Sequence, residues 1–335
     1  MLTAQEIKDS ALNGGADFCG IANIGRYQGA PREMHPLTVF PETRSIIVYG
    51  SRILKGSYKG IREGTDWSSY WVYGYGPGIL SSIDGATEAI IDVLASEGYE
   101  AVQEPGGRTL KDEGAPNPPP LAEGKPSPRV TLHTRMAAAL AGLGEFGWSK
   151  VFLTPQFGPR QRLAVVLTDA ELEPDPLFEG AICDHCQVCV RACPGRALGG
   201  EKKTVTVEGR TFEWGDVDYG QCKVTHVGLN PKASPFVQKD LPGMQMEVGK
   251  TNYQWHEALQ LGKALSNLVD YTKLVFEGSD EHGAYGRPGS VCGARGCVQA
   301  CNRHLESRGV LKGGARQEGD EPCETQPCTG KRHRI

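Results

Sequence analysis

Residues 183–198, CDHCQVCVRACPGRAL, place four cysteines within eleven residues and follow the last of them with Pro194. No other stretch restricts the fold as strongly, because thiols at this density must be cross-linked, metallated or buried. The chain has 335 residues and 11 cysteines. That length and odd count argue against a small disulfide scaffold. The spacing Cys183-x2-Cys186-x2-Cys189-x3-Cys193-Pro194 suits thiolates on iron–sulfur cubanes. A compact turn brings three sulfurs to one cubane, and the fourth cysteine opens a short helix and ligates a second. The alternative is zinc, but four-thiolate zinc sites usually present separated Cys-x2-Cys pairs.

The run is that of the bacterial two-cluster ferredoxins, in which the remaining ligands come from a distant group. Here that group is Cys292-x4-Cys297-x3-Cys301, with Cys222 as a further candidate. The count then closes on two 4Fe–4S clusters. Cys183, Cys186, Cys189 and Cys301 make one site, and Cys193, Cys222, Cys292 and Cys297 make the other. Cys19 lies in an apolar strand pattern and reads as a core residue. Cys323 and Cys328 fall in a polar tail and read as exposed thiols.

Along the chain, Thr3 and Glu6 form a capping box that predicts a helix over 4–13, ended by Gly14 and Gly15. DFCGIAN and RSIIVYG read as buried strands, and residues 79–94 carry apolar side chains at helical spacing. YEAVQ and QRLAVVLTD are further strands, and TRMAAALAGLG is a helix. This alternation predicts an α/β or α+β layer structure with helices over a sheet. Residues 104–129, dense in proline and glycine, read as a linker or lid. The organisation expected is an α/β domain over 1–175, a two-cluster domain over 176–310 and a polar tail over 311–335.

A net charge of −4 argues against a general nucleic-acid or membrane-surface binder. No apolar stretch approaches the ~20 residues of a membrane span. The N-terminus has neither a secretory h-region nor a twin-arginine, so the expected location is the cytoplasm.

The segment TRMAAALAGLGEFGWSKVFLTPQFGPRQRLAVVLTDAELEPDP, residues 134–176, stands just upstream of the first cysteine run. Together they resemble the core of the reductive dehalogenases and, more loosely, of epoxyqueuosine reductase. The resemblance covers residues 130–305 well and the N-terminal half faintly. It implies a nitroreductase-like α/β sheet holding cobalamin, beside a bacterial-ferredoxin-type domain with two clusters. Electrons would pass from the distal cluster to the proximal one and on to cobalt, for reductive cleavage of a carbon–halide or other carbon–heteroatom bond. By position, the cluster of Cys193, Cys222, Cys292 and Cys297 lies nearer the corrin. No Asp-x-His-x-x-Gly run occurs, which fits the base-off mode of the family.

For the corrin, candidate contacts are Arg135, Gly142, Gly144, Gly147, Arg160 and Arg162. The glycines permit close backbone approach to a large ligand, or else they serve as a helix end with a C-capping glycine. For the proton donor, the segment GTDWSSYWVYGYGPG offers Asp66, Tyr70, Tyr73 and Tyr75. Asp66 matches the catalytic acid of the epoxyqueuosine reductases, and the dehalogenases use a tyrosine beside a basic residue. His133, Glu145 and His226 remain open as titratable candidates. The expected partners are a small-molecule substrate and an external electron donor such as a ferredoxin or flavodoxin, in a monomer or homodimer. Two other functions stay open: an iron–sulfur electron carrier without corrinoid, and tRNA modification. GLGEFGWSK lacks the Gly-Lys-Asn ending of the tRNA-modifying enzymes, and the second cysteine group lacks their Cys-Pro-Trp-Asn ending.

Overall fold

The computed structural model describes residues 2–63, 68–74, 76–104, 119–125, 132–226, 230, 292 and 295–311. Asp66, Tyr75, Cys323 and Cys328 lie outside the described residues, as does most of the proline-rich stretch.

Helix α1 (Ala4–Asn13) starts where the capping box directs it. The Glu6 amide donates to Thr3 Oγ1 at 3.2 Å and the Thr3 amide donates to Glu6 Oε2 at 2.8 Å, so two orphan donors are satisfied. Strands β1 (Phe18–Asn23) and β2 (Ser45–Arg52) follow, then the short helix α2 (Ser68–Gly74) and the long helix α3 (Pro77–Ser96). Strand β3 (Ala101–Glu104), helix α4 (Thr134–Leu140) and the small strands β4 (Glu145–Phe146) and β5 (Phe152–Leu153) lead to β6 (Gln161–Thr168).

The main sheet has four strands in the order β1-β2-β6-β3, and each pair is antiparallel. The fold is therefore a mixture of helix and sheet of the α+β kind. Of the two layer structures the sequence allows, this is the α+β one. Side chains of β2 alternate between two cores, as strand geometry requires. Ile46 and Val48 face α4 with Ala137, Leu140, Phe146 and Val165. Ile47 and Tyr49 face α1 and α3 with Ile7, Ile83, Ile90 and Val166. Buried on both faces, β2 has no polar alternation, which is why it reads as a continuous apolar run. Helices α1 and α3 cross where Gly14 meets Gly85. A Cβ on Gly14 would lie 2.6 Å from the Gly85 carbonyl oxygen, so neither position accepts a side chain.

Beyond the first cysteine run and its short helix α5 (Val188–Arg191), the chain forms a hairpin, β7 (Leu198–Val207) and β8 (Arg210–Val217). Its two-residue turn, Glu208-Gly209, has φ of 49° and 70°, the left-handed pair of a type I′ turn. The alternation in KTVTVEGRTFEW carries this signal, and the sequence reading passed over it. Val207 and Phe212 enter the same core as α4, so the hairpin binds the cysteine-bearing part of the chain to the sheet. Helices α6 (Tyr219–His226) and α7 (Cys297–Ser307) follow.

Candidate metal centre

The loop that starts the cysteine run is tied down before any metal is considered. Glu145 Oε1, on β4, accepts the backbone amides of Ile182 and Cys183, each at 2.7 Å. The Trp148 amide donates to Cys183 Sγ at 3.4 Å, and the Ala197 amide donates to Cys193 Sγ at 3.3 Å. His185 and Gln187 hold φ of 55° and 58°, left-handed conformations that turn the chain tightly around the thiols. The Cys-Pro-Gly corner fits between two helices. A Cβ on Gly195 would lie 2.0 Å from Thr225 Oγ1 of α6, and Gly296, ahead of α7, packs within reach of the Pro194 ring.

The thiols fall into two groups by what perturbs each of them. Burial pushes the Cys301 thiol far up, and the neighbouring Cys189, Cys183 and Cys186 push it further. Cys189 is pushed up to about 11, first by burial and then by Cys183. Cys292 is raised by burial and then by Cys222, Cys297 and Cys193. Cys297 is likewise raised by burial, then by Cys222 and Cys193, with Cys189 and Cys301 next. Cys301 thus has its thiol neighbours in the first expected set and Cys292 in the second, while Cys297 is acted on by both. Buried thiols that hold one another protonated need nearby positive charge to ionise, and a bound metal cluster supplies it. The donor set fits iron–sulfur ligation.

A polar network borders the first group. Asp184, Cys186 and His304 bring ligand atoms within 4.8 Å of one another, while His304 Nε2 and Arg308 also meet Asp184 Oδ2 at 2.8 and 3.1 Å. The Asp184 carboxyl is pushed down to about 2, with burial opposed by the hydrogen bond from His304 and by those from Cys186.

Beside the second group stands a buried tyrosine–arginine arrangement. Tyr70, on α2, is 2 % exposed and hydrogen-bonded to Arg162, with Cys292 and Cys297 also close enough to act on it. Burial raises its hydroxyl and Arg162 opposes the rise. The Tyr58 ring lies 5.0 Å from that of Tyr70. Ile53, Ile79 and Val298 close the apolar side. Tyr58 also lines a small open cleft, together with Lys55, Arg62, Arg160, Gln299 and Arg303.

The other expected residues are placed as follows. Tyr73 is 55 % exposed, a poor setting for a buried acid. Gly142 has φ of 74° at the end of α4, and a Cβ there would lie 2.1 Å from the Pro176 carbonyl oxygen. Gly144 has φ of 152°, with Leu153 O at 2.0 Å from such a Cβ. The Gly147 amide donates to the Val151 carbonyl at 2.8 Å. These glycines serve backbone packing and a helix end. Buried Arg160 donates through Nε to Asn302 Oδ1 at 2.8 Å and through Nη1 to the Ile53 carbonyl at 2.7 Å. Arg135 donates to the Lys150 carbonyl at 2.7 Å. His133 caps α4, accepting from the Met136 amide at 3.2 Å. Glu145 is a loop brace, and His226 Nδ1 lies 3.7 Å from Cys292 Sγ.

No protein-family model matches the chain. Among curated proteins it is similar to a tetrachloroethene reductive dehalogenase of Desulfitobacterium hafniense, 44 % identical over 68 residues, 19 % of this chain and 12 % of that one. The tetrachloroethene reductive dehalogenase of Sulfurospirillum multivorans is 34 % identical over 95 residues, 25 % of this chain and 18 % of that one. Epoxyqueuosine reductase of Listeria monocytogenes is 26 % identical over 176 residues, 51 % and 40 % of the two chains. The matches therefore span less than half the length of each of these relatives. Among solved structures, a catabolic reductive dehalogenase aligns with TM-score 0.47 and 19 % identity, over 84 % of this chain and 37 % of that one. Epoxyqueuosine reductase from Streptococcus thermophilus aligns with TM-score 0.44 and 13 % identity, over 91 % and 80 %. The relatives carry the two names that the sequence resemblance gave. Among the described residues no helix is long and apolar enough to cross a membrane.

Proposed function

We propose that the protein is an iron–sulfur reductase of the reductive-dehalogenase kind, with two 4Fe–4S sites that would supply electron transfer toward the Tyr70–Arg162 corner. What carries this reading is the clustering of Cys189 and Cys301 with Cys183 and Cys186, and of Cys292 and Cys297 with Cys193 and Cys222, with Tyr70 and Arg162 beside the latter. Cys183, Cys186, Cys189 and Cys301 would hold one cluster, and Cys193, Cys222, Cys292 and Cys297 would hold the other. When bound, the clusters supply one-electron transfer. The chain's own part is to keep water from the thiolates, to fix the loop through Glu145, and to hold a proton at the Tyr70 hydroxyl. Burial keeps that hydroxyl protonated at neutral pH. Arg162 orients it and stabilises the tyrosinate once the proton has left. Reductive removal of a halide consumes two electrons and one proton, replaces the halogen with hydrogen and releases halide. In this assignment Tyr70 delivers that proton.

Cobalamin is the third cofactor that the family resemblance brings, and the residues expected to hold it do not fit. Gly142 and Gly144 are closed by backbone, the Gly147 amide is taken by Val151, and Arg135 and Arg160 spend donors on carbonyl oxygens of the chain itself. Arg162 is engaged with Tyr70. No corrin contact is assigned to them and no step is derived through cobalt. That misfit favours a second reading, an iron–sulfur electron carrier that passes electrons to a partner protein. In both readings the nitroreductase-like part is residues 1–175, the ferredoxin-type part is 176–310, the location is the cytoplasm and the donor is a ferredoxin or flavodoxin.

The test is metal analysis and EPR of anaerobically produced protein, reconstituted with iron, sulfide and cobalamin. About eight irons are expected from two four-iron sites, and halide release from tetrachloroethene or brominated phenols under a low-potential reductant identifies the reductase. Eight irons with neither retained cobalt nor halide release identifies the carrier.

A further inference from the structure

We infer that His226 sets the reduction potential of the second cluster by donating a hydrogen bond to the sulfur of Cys292. The inference rests on the two-cluster reading and deepens it. His226 Nδ1 stands 3.7 Å from Cys292 Sγ, a separation suited to a large, soft sulfur acceptor. The contact is built into α6. His226 follows Cys222 at i+4, and residues so spaced share one helix face. The helix that offers Cys222 to the second group therefore brings His226 to the same group.

The direction of the bond follows from the acceptor. A metal-bound thiolate carries no proton, so the proton between the two atoms belongs to Nδ1. A neutral imidazole with its proton on Nδ1 meets this need, and no change of protonation is involved. At Cys183 and Cys193 the described donors are backbone amides, those of Trp148 and Ala197. At Cys292 the donor is a side chain, so this contact is one that a substitution can remove.

Hydrogen bonds to cluster sulfurs stabilise the extra negative charge of the reduced state and raise its potential. Electrons fall from lower to higher potential. The His226 bond, added to the second group, favours transfer toward the side where Tyr70 and Arg162 lie. His226 is thus a positioning residue that acts through Cys292.

The full-length protein, reconstituted anaerobically with iron and sulfide, tests this by potentiometric titration followed by EPR. The variants are His226→Leu and His226→Asn, because the asparagine amide can donate from nearly the place of Nδ1. His226→Leu is expected to keep its full iron content while its second cluster becomes harder to reduce. At a fixed potential its oxidised-to-reduced ratio rises about tenfold, equivalent to about 59 mV for a one-electron couple. The first cluster stays unchanged, and His226→Asn stays near the parent protein. An unmoved second potential in fully loaded His226→Leu overturns the inference. So does equal loss of iron in both variants, which marks the histidine as a ligand or packing residue. Unsubstituted protein that binds no iron removes the two-cluster reading itself, and that result is visible before any variant is made.

Discussion

Cys297 and Cys301 stand one turn apart on α7 yet belong to different thiol groups. Cys301 is acted on by Cys189, Cys183 and Cys186, whereas Cys297 is acted on first by Cys222 and Cys193. On the proposed two-cluster reading, this one helix closes both sites. It is anchored by Asn302, whose side-chain oxygen accepts from Arg160 Nε at 2.8 Å across 142 residues of chain. Replacing Asn302 with leucine leaves a buried guanidinium donor without its partner, a loss of about 2–3 kcal/mol for a bond to a charged group. Iron should fall at both sites together, read by metal analysis beside a thermal melt. Selective loss at one site would show that α7 does not couple them.

Glu145 gives a second expectation. One carboxylate oxygen takes two amides at the mouth of the cysteine run. Glu145→Ala removes the acceptor and should destabilise the protein by about 2–3 kcal/mol, with the first cluster lost before the second. Glu145→Gln retains a carbonyl oxygen and should keep most of the iron. Equal behaviour of the two variants in iron content and urea unfolding would assign the site to something other than this brace.

Much of this was legible in the sequence because local rules and packing agree. The capping box and the two-sided apolar run of β2 both correspond to what the chain does locally. Gly142 and Gly144 were ambiguous for a physical reason. A glycine that admits a ligand and a glycine that admits a carbonyl oxygen look alike until the opposing backbone, here Pro176 and Leu153, is in place. Arg160 was read as a ligand contact because its partners, Ile53 and Asn302, are distant in sequence. The pairing of Tyr70 with Arg162 joins α2 to β6 and has no local signature. Glu145 and His226 gain their roles from the same kind of long-range contact.

Cys19 supplies a pH dependence. Its thiol is pushed up to about 12 from an ordinary 9.0, first by burial and then by Asp175. A folded-state value above the unfolded one means that the native chain holds the proton longer. The contribution is complete below about pH 9 and is lost as pH rises toward 12. Within that window the group reduces stability by about 1.4 kcal/mol per pH unit. Cys19→Ala should flatten the alkaline limb of a stability–pH curve measured by denaturant unfolding. A limb of unchanged slope would place the alkaline loss on Tyr27 and Tyr49, whose hydroxyls burial also raises.

Tyr70 bears most directly on what the protein does. Its hydroxyl is enclosed by Tyr58, Ile53 and Ile79, engaged with Arg162 and close to Cys292 and Cys297. Tyr70→Phe deletes one oxygen and keeps the ring that packs on Tyr58, so iron content and the thermal midpoint should change little. If the hydroxyl is the proton donor, halide release under a low-potential reductant should fall by about a hundredfold or more, the usual loss when a general acid is removed. Reduction of the clusters by the same reductant should be untouched, because no proton from Tyr70 is needed for it. Arg162→Lys keeps a charge but loses the planar fork, and should lie between the parent protein and Tyr70→Phe. A Tyr70→Phe protein with full halide release assigns the proton to another group and leaves Tyr70 as packing between α2 and the second thiol group. A fall in cluster reduction equal to the fall in halide release would instead make the hydroxyl part of the electron path.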